Sequence, residues 1–340
     1  MSETTKPKVY KYKNIAAALA VILLILVAVS TSCSSRQSKK KAVEDKDDIA
    51  GSSVEETKPV KEDASKRLTK NYTYNEMQNG TAMYNGLLLQ VDAQHPFKGQ
   101  VNNTESLYSF LFDKNGEQVM AASYPSDEAL PEMLQALNDM AVAFEAQSHS
   151  SGMLMITSMI PDADDTAQRA DEAYIGSTVD LMVLDGESYL EFTGKDSFAW
   201  IPQNCAKYGF VMRGADRLRY VGREAAELID HMKKTDGSAD LEKFQSAVRE
   251  YSFEKPWFVT TDNGTEYASY FVAAEEGTLT TSVPVPMRDD ESSYPYIISG
   301  NNADGYIVIA DITENKEFDS NNNSAADSKT ESEAEGEYLL

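Results

Sequence analysis

Trp200-Ile-Pro-Gln-Asn-Cys-Ala-Lys-Tyr208-Gly209-Phe210, followed closely by Arg219-Tyr220-Val221-Gly222-Arg-Glu-Ala-Ala226, is the most informative stretch of this 340-residue chain. Its first part reads as a helix with Pro202 near the opening turns and Gly209 as its stop. Phe210–Met212 then suits a strand, and Glu224–Met232 a helix. Upstream, Met153–Ile156 and Val179–Leu184 are apolar runs suited to central strands. From Leu130 the apolar positions 130, 133, 134, 137, 140, 141 and 144 recur at helical spacing, which predicts one amphipathic helix with Pro131 near its start. Gly86–Asp92 suits a short buried strand. Phe110–Phe112 and Gln118–Met120 flank Asn115-Gly116 as a hairpin. Downstream, Leu241, Phe244, Val248 and Tyr251 share one face of a further helix.

The composition changes at Lys255-Pro256-Trp257. Beyond it, short runs such as Tyr270–Val272, Tyr296–Ile298 and Tyr306–Ile309 are punctuated by the turn pairs Asn263-Gly264 and Asp304-Gly305. A small all-β module over 255–313 is predicted. Tyr267, Tyr270, Tyr294 and Tyr296 are candidate exposed aromatics there, although a small β core would use the same residues.

Charge is unevenly spread. Residues 1–41 carry a net +7, which leaves −31 for the rest of a chain whose total is −24. So acidic a body repels nucleic acid, and none is expected as a partner. Ile15–Ser35 is uncharged for 21 residues, with basic residues on both sides, and a spanning helix needs roughly 20. Three readings compete: a signal peptide cut after Ala28-Val29-Ser30, a lipoprotein acylated at Cys33, and an uncleaved signal anchor. Segment length favours the anchor. The expected order is then a cytoplasmic basic tail (1–14), a transmembrane signal anchor (15–35) and a disordered stalk (36–70). A folded body outside the cytoplasm and a disordered acidic tail (314–340) complete it. Cys33 and Cys205, the two cysteines, read as isolated thiols.

Taken in order, several stretches resemble VanY-type D-alanyl-D-alanine carboxypeptidases of bacteria. They are Gly86-Leu-Leu-Leu-Gln-Val-Asp-Ala-Gln-His95-Pro96, Leu137-Asn138-Asp139-Met140, Gly176-Ser-Thr-Val-Asp180-Leu181, and the two segments quoted at the outset. The resemblance implies an α+β fold over 71–254, with a small antiparallel central sheet flanked by helices (D,D-carboxypeptidase/hedgehog-like). The β module over 255–313 follows it and resembles an extension of some clostridial members.

The resemblance also implies a catalytic zinc held by two ligands from S-x-H-x-x-G-x-A-x-D and one from E-P-W-H, with the Glu as base. Laid on Gly176 and Asp180, the first motif keeps only the Asp, as Asp180; Ala173 stands at the His position and Asp171 at the Ser position. The second falls on Asp216-Arg217-Leu218-Arg219-Tyr220-Val221-Gly222, which puts Arg217 at the His position and Gly214 at the Glu position. The hairpin that carries it is expected to be mostly lost, and the substrate-gripping segment is degraded to roughly Thr157-Ser158-Met159-Ile160. No catalytic residue, metal ligand set or cofactor is therefore expected, and Asp180, Arg217, Arg219 and Trp200 are the candidate remnant cleft.

The three histidines, His95, His149 and His231, have no partner at metal spacing. Asp162-Ala-Asp164-Asp165 lacks the Gly and Glu of a calcium loop, Asp289-Asp290-Glu291 reads as a solvated turn, and Cys205 reads as buried packing. Three functions follow. The first is a tethered pseudoenzyme that binds peptidoglycan stem peptide or an envelope protein. The second is an active zinc D,D-carboxypeptidase trimming terminal D-Ala, and the third an envelope scaffold using the β module.

Overall fold

The structure, a computed structural model, describes residues 68–148, 152–159 and 169–313, all within one compact unit. The expected basic tail, anchor and acidic tail lie outside the described residues, as do most of the expected stalk, His149 and Asp162–Asp165. No helix among the described residues is long and apolar enough to cross a membrane.

Strand β1 (Tyr72–Gln78) comes first, followed after an irregular stretch by the short strands β2 (Glu105–Ser106), β3 (Ala121–Ala122) and β4 (Glu128–Ala129). Helix α1 (Pro131–Ser148) leads to β5 (Met153–Ser158), then the hairpin β6 (Thr178–Asp185) and β7 (Ser188–Glu191). Helix α2 (Trp200–Asn204) continues as a 3-10 turn to Tyr208, and Gly209 ends it at φ 84°. A hairpin, β8 (Phe210–Met212) and β9 (Arg217–Tyr220), precedes α3 (Arg223–Asp236) and α4 (Leu241–Val248). Five strands follow: β10 (Trp257–Thr260), β11 (Glu266–Ala273), β12 (Thr280–Pro286), β13 (Tyr296–Gly300) and β14 (Gly305–Asp311).

The central sheet runs β3-β5-β6-β9-β8, with β7 also on β6; its pairs are antiparallel except β3–β5. Side chains alternate between faces along each strand. One face sends Leu154, Ile156, Val179, Leu181 and Leu218 into a core completed by Met133, Leu137, Met140 and Phe144 of α1. This is the mixed α+β architecture expected from the sequence. Residues 178, 180, 217 and 219 belong to the opposite face.

The C-terminal strands form a second sheet, ordered β10-β11-β14-β13. Ile307 and Ile309 of β14 pack with Ala225, Leu228 and Ile229 of α3 and with Phe244 of α4. On the sheet's other side, Tyr270, Tyr306 and Val308 meet Val283 and Val285 of β12. Strand β12 pairs with β1, so a segment from the start of the described chain joins the C-terminal strands across the boundary expected at 254/255. Leu68, expected in the stalk, is buried against Ala268, Tyr294, Ala310 and Ile312.

Three local expectations change. Gly86–Asp92 is no strand: side chains bond much of its backbone, and the Gln90 and Asp92 N–H groups bond the isolated carbonyls of Asn301 and His95, not a ladder. Arg219 donates to the Leu87 and Leu89 carbonyls, Gln245 to Leu88 and Asn302 to Gln90, while Ser299 Oγ accepts the Leu88 N–H. The region of Phe110–Phe112 forms a 3-10 turn (Leu107–Phe110) and a single bridge, Phe112 to Gln118, since the Asp113 carboxylate takes the Asn115 and Glu117 N–H groups. Tyr267, Tyr270 and Tyr294 are buried, not exposed. The first two direct their hydroxyls to Glu227 and to the Pro284 carbonyl, which removes the cost of burying them.

Candidate functional site

The β6–β9 ladder places Asp180 directly opposite Arg217. Arg217 grips Asp180 bidentately, Nε at 2.6 Å and Nη2 at 3.0 Å, and reaches Asp171 through Nη1 at 3.0 Å. Hydrogen bonding to Asp180 raises the Arg217 guanidinium above its ordinary value, so it stays charged. Asp171 caps the 3-10 turn Glu172–Ile175 by accepting the Ala173 N–H at 2.9 Å, and Gly176 closes that turn at φ 74°. The cap brings the Asp171 carboxylate to the same guanidinium that Asp180 holds. Ala173 itself is a buried methyl.

Glu172 faces the other way and gathers two more arginines. Arg219 Nη1 lies 2.5 Å from it and Arg213 Nη2 2.9 Å, while Arg213 also chelates Glu242 at the start of α4. Burial lowers the Arg219 guanidinium, and Glu172 offsets only part of that. Burial acts the same way on Arg213, but its hydrogen bonds to Glu242 and Glu172 raise it overall. Arg219 is fully enclosed, its remaining contacts being the Leu87 and Leu89 carbonyls. It therefore braces the floor of the site and is not presented to a ligand.

The expected cleft residues thus separate. Asp180 and Arg217 meet; Arg219 lies beside them on the same sheet face, opposite Thr178; Trp200 packs with Phe144 and Tyr208 in the α1-side core that Leu218 joins. Glu172 and Glu242 were not anticipated. A usable signal was present in the spacing, because Arg217 and Arg219 two apart share one strand face and need carboxylates there.

The β8–β9 hairpin is present but short: Met212 pairs with Leu218, and Arg213 N–H bonds the Arg217 carbonyl at 2.8 Å. Gly214 lies in its exposed turn at φ 128°, a conformation that L side chains rarely adopt. Thr157 donates to the Asp180 carbonyl at 3.2 Å, and Met159 is buried; Ile160 lies outside the described residues. His95 pairs with Asp92, and His231 faces Asp262 at 3.6 Å. Cys205 is buried, with its thiol pushed up to about 12 by burial, and is unsuited to nucleophilic work. Asp290 accepts from Ser292 within its exposed turn. Among the described residues no group of three or more His, Cys, Asp or Glu side chains is placed to share a metal ion.

No protein-family model matches the sequence, and no curated protein matches it. Among solved structures, it is similar to the vancomycin resistance D,D-dipeptidase VanXYg, determined in complex with a D-Ala-D-Ala phosphinate analog. The TM-score is 0.54 at 17% identity, covering 70% of this chain and 98% of that one. The likeness is one of fold: the chain has the architecture of a D,D-peptidase.

Proposed function

We propose that this chain is a cell-envelope protein, anchored through residues 15–35, that uses a D,D-peptidase fold to bind peptidoglycan stem peptide or an envelope protein without zinc-dependent cleavage. The observation that supports this most is the Arg217 guanidinium held between Asp180 and Asp171. Zinc requires three ligand atoms about 2 Å from one point. At the matching positions stand a methyl, a carboxylate already engaged on both oxygens and a guanidinium that cannot be deprotonated. These residues do not fit zinc, and the cation that neutralises Asp180 is the chain's own. Gly214 adds no base. The likeness of fold to a D,D-dipeptidase supports wall peptide as the ligand class.

The test is elemental analysis and D-Ala release on the purified full chain. Dialysed protein is expected to carry no stoichiometric zinc and to release no D-Ala from a muramyl pentapeptide, with or without added metal. Chelator-sensitive release that Asp180→Ala abolishes would replace this reading with that of a working carboxypeptidase.

A further inference from the structure

The β1–β12 ribbon has two unlike edges. Met287 N–H bonds the Asn71 carbonyl at one end, and Asn79 N–H bonds Leu279 at the other. Antiparallel alternation then makes 73/285, 75/283 and 77/281 the hydrogen-bonded pairs. The backbone groups of Tyr72, Tyr74 and Glu76, and the Gln78 N–H, must point away from β12. Residues 280, 282, 284 and 286 of β12 likewise point away from β1, and two of them, Pro284 and Pro286, have no N–H to offer. Proline on an outward-facing edge position is a device that blocks further strand pairing. β1 has no such device: it contains no proline, no lysine and no bulge, and among the described residues it pairs with β12 alone. Its outward face is exposed, with Tyr72 and Tyr74 at 42% and 54% and their rings in edge contact at 5.4 Å.

We propose that this open edge pairs with the β1 strand of a second copy of the chain, antiparallel about Asn75, giving a continuous β12–β1–β1–β12 sheet. The register is self-consistent. Centring on Asn75 sets Tyr72 beside Gln78 and Tyr74 beside Glu76 of the other copy, and these are the residues whose backbone groups face outward. No like charges meet, because Glu76 is the only charged residue in the strand. The two entering chains would stand about 20 Å apart, the steps from 72 to 78 at ~3.3 Å each, at opposite ends of the strand pair. Each is preceded by 71 residues, far more than that separation requires.

The experiment is light scattering on the purified full chain over a concentration series. It includes Tyr74→Pro, which deletes an outward N–H, and Tyr74→Lys, which places a charge on the edge. Neither touches the β1–β12 hydrogen bonds, since Tyr74 stands opposite Pro284. The chain is expected to be dimeric, and both variants monomeric with unchanged circular dichroism. Asn75→Cys is expected to give a disulfide-linked dimer on oxidation, and Thr73→Cys is not, which checks the register. A chain that stays monomeric at every concentration, or a dimer that survives both Tyr74 variants, overturns the proposal. So does a monomer that binds only an added extended peptide, which would assign the edge to another protein.

Discussion

Arg217 and Arg219 project from the same face of β9, yet 31% of the Arg217 side chain is exposed while Arg219 has none of its side chain exposed. Arg217 joins two carboxylates that water also reaches, Asp180 and Asp171. Arg219 joins Glu172, itself nearly buried, to the carbonyls of a segment that has no ladder of its own. The difference lies in what each would leave behind. Without Arg217, two carboxylates rehydrate. Without Arg219, the nearly buried Glu172 carboxylate keeps only Arg213, and the Leu87 and Leu89 carbonyls lose its donors in a place where water does not replace them. Two residues apart, one arginine joins carboxylates at the surface and the other is closed into the fold.

The comparison is broken most directly by Arg219→Ala. It is expected to cost about 3–5 kcal/mol, the usual range for removing one partner of a buried pair. Denaturant unfolding measures this, and faster amide exchange over 86–91 should accompany it. A loss below that of Arg217→Ala would reverse the assignment. Arg217→Ala is expected to cost less, about 1–2 kcal/mol, because its partners are partly solvated and the pair is open to screening. Its loss should shrink at high salt, whereas that of Arg219→Ala should not.

The smallest effect is on pH dependence. Hydrogen bonds from Arg213 hold the Glu242 carboxyl below its ordinary value. Its folded value therefore lies below the unfolded one, and the stability it contributes is complete above about pH 4.5 and lost as pH falls through the depressed value. Arg213→Gln should flatten that part of the acid limb of a stability–pH profile and leave the neutral limb less affected by pH. An acid limb unchanged in slope would show that the Arg213–Glu242 contact contributes nothing there.

The periodic elements were legible in the residue pattern alone. The 3.6-residue recurrence from Leu130 to Phe144 became α1, and Gly209 ended its helix in the left-handed conformation, which glycine adopts at no steric cost. The apolar runs at 153–156 and 179–184 became β5 and β6: one face of a strand buried against a core needs an apolar side chain at every second position, and these runs supply it. Gly86–Asp92 misled because an apolar run reports burial, not pairing; what satisfies its backbone comes from residues 219, 245, 299 and 302, remote in sequence. Tyr267 and Tyr270 misled likewise, since the partners that allow their burial, Glu227 and the Pro284 carbonyl, belong to other elements.

At the site, an alanine at 173, a glycine at 214 and an arginine at 217 could be read from the sequence alone, as could the candidate grouping of Asp180 with Arg217 and Arg219. Which arginine, and in what company, depended on the fold. Strand alternation puts 217 and 219 on one face, but only the register of β9 against β6 decides that 217 meets Asp180. Only the position of the Glu172–Ile175 turn decides that 219 meets Glu172 and is closed off from water. The pairing of β1 with β12 is of the same kind, joining residues 72 and 286. Sequence by itself determined the elements, through periodicity, caps and turns that act within a few residues. Tertiary structure decided the partners, because a charge or an open strand edge carries no local mark of the distant group that will satisfy it.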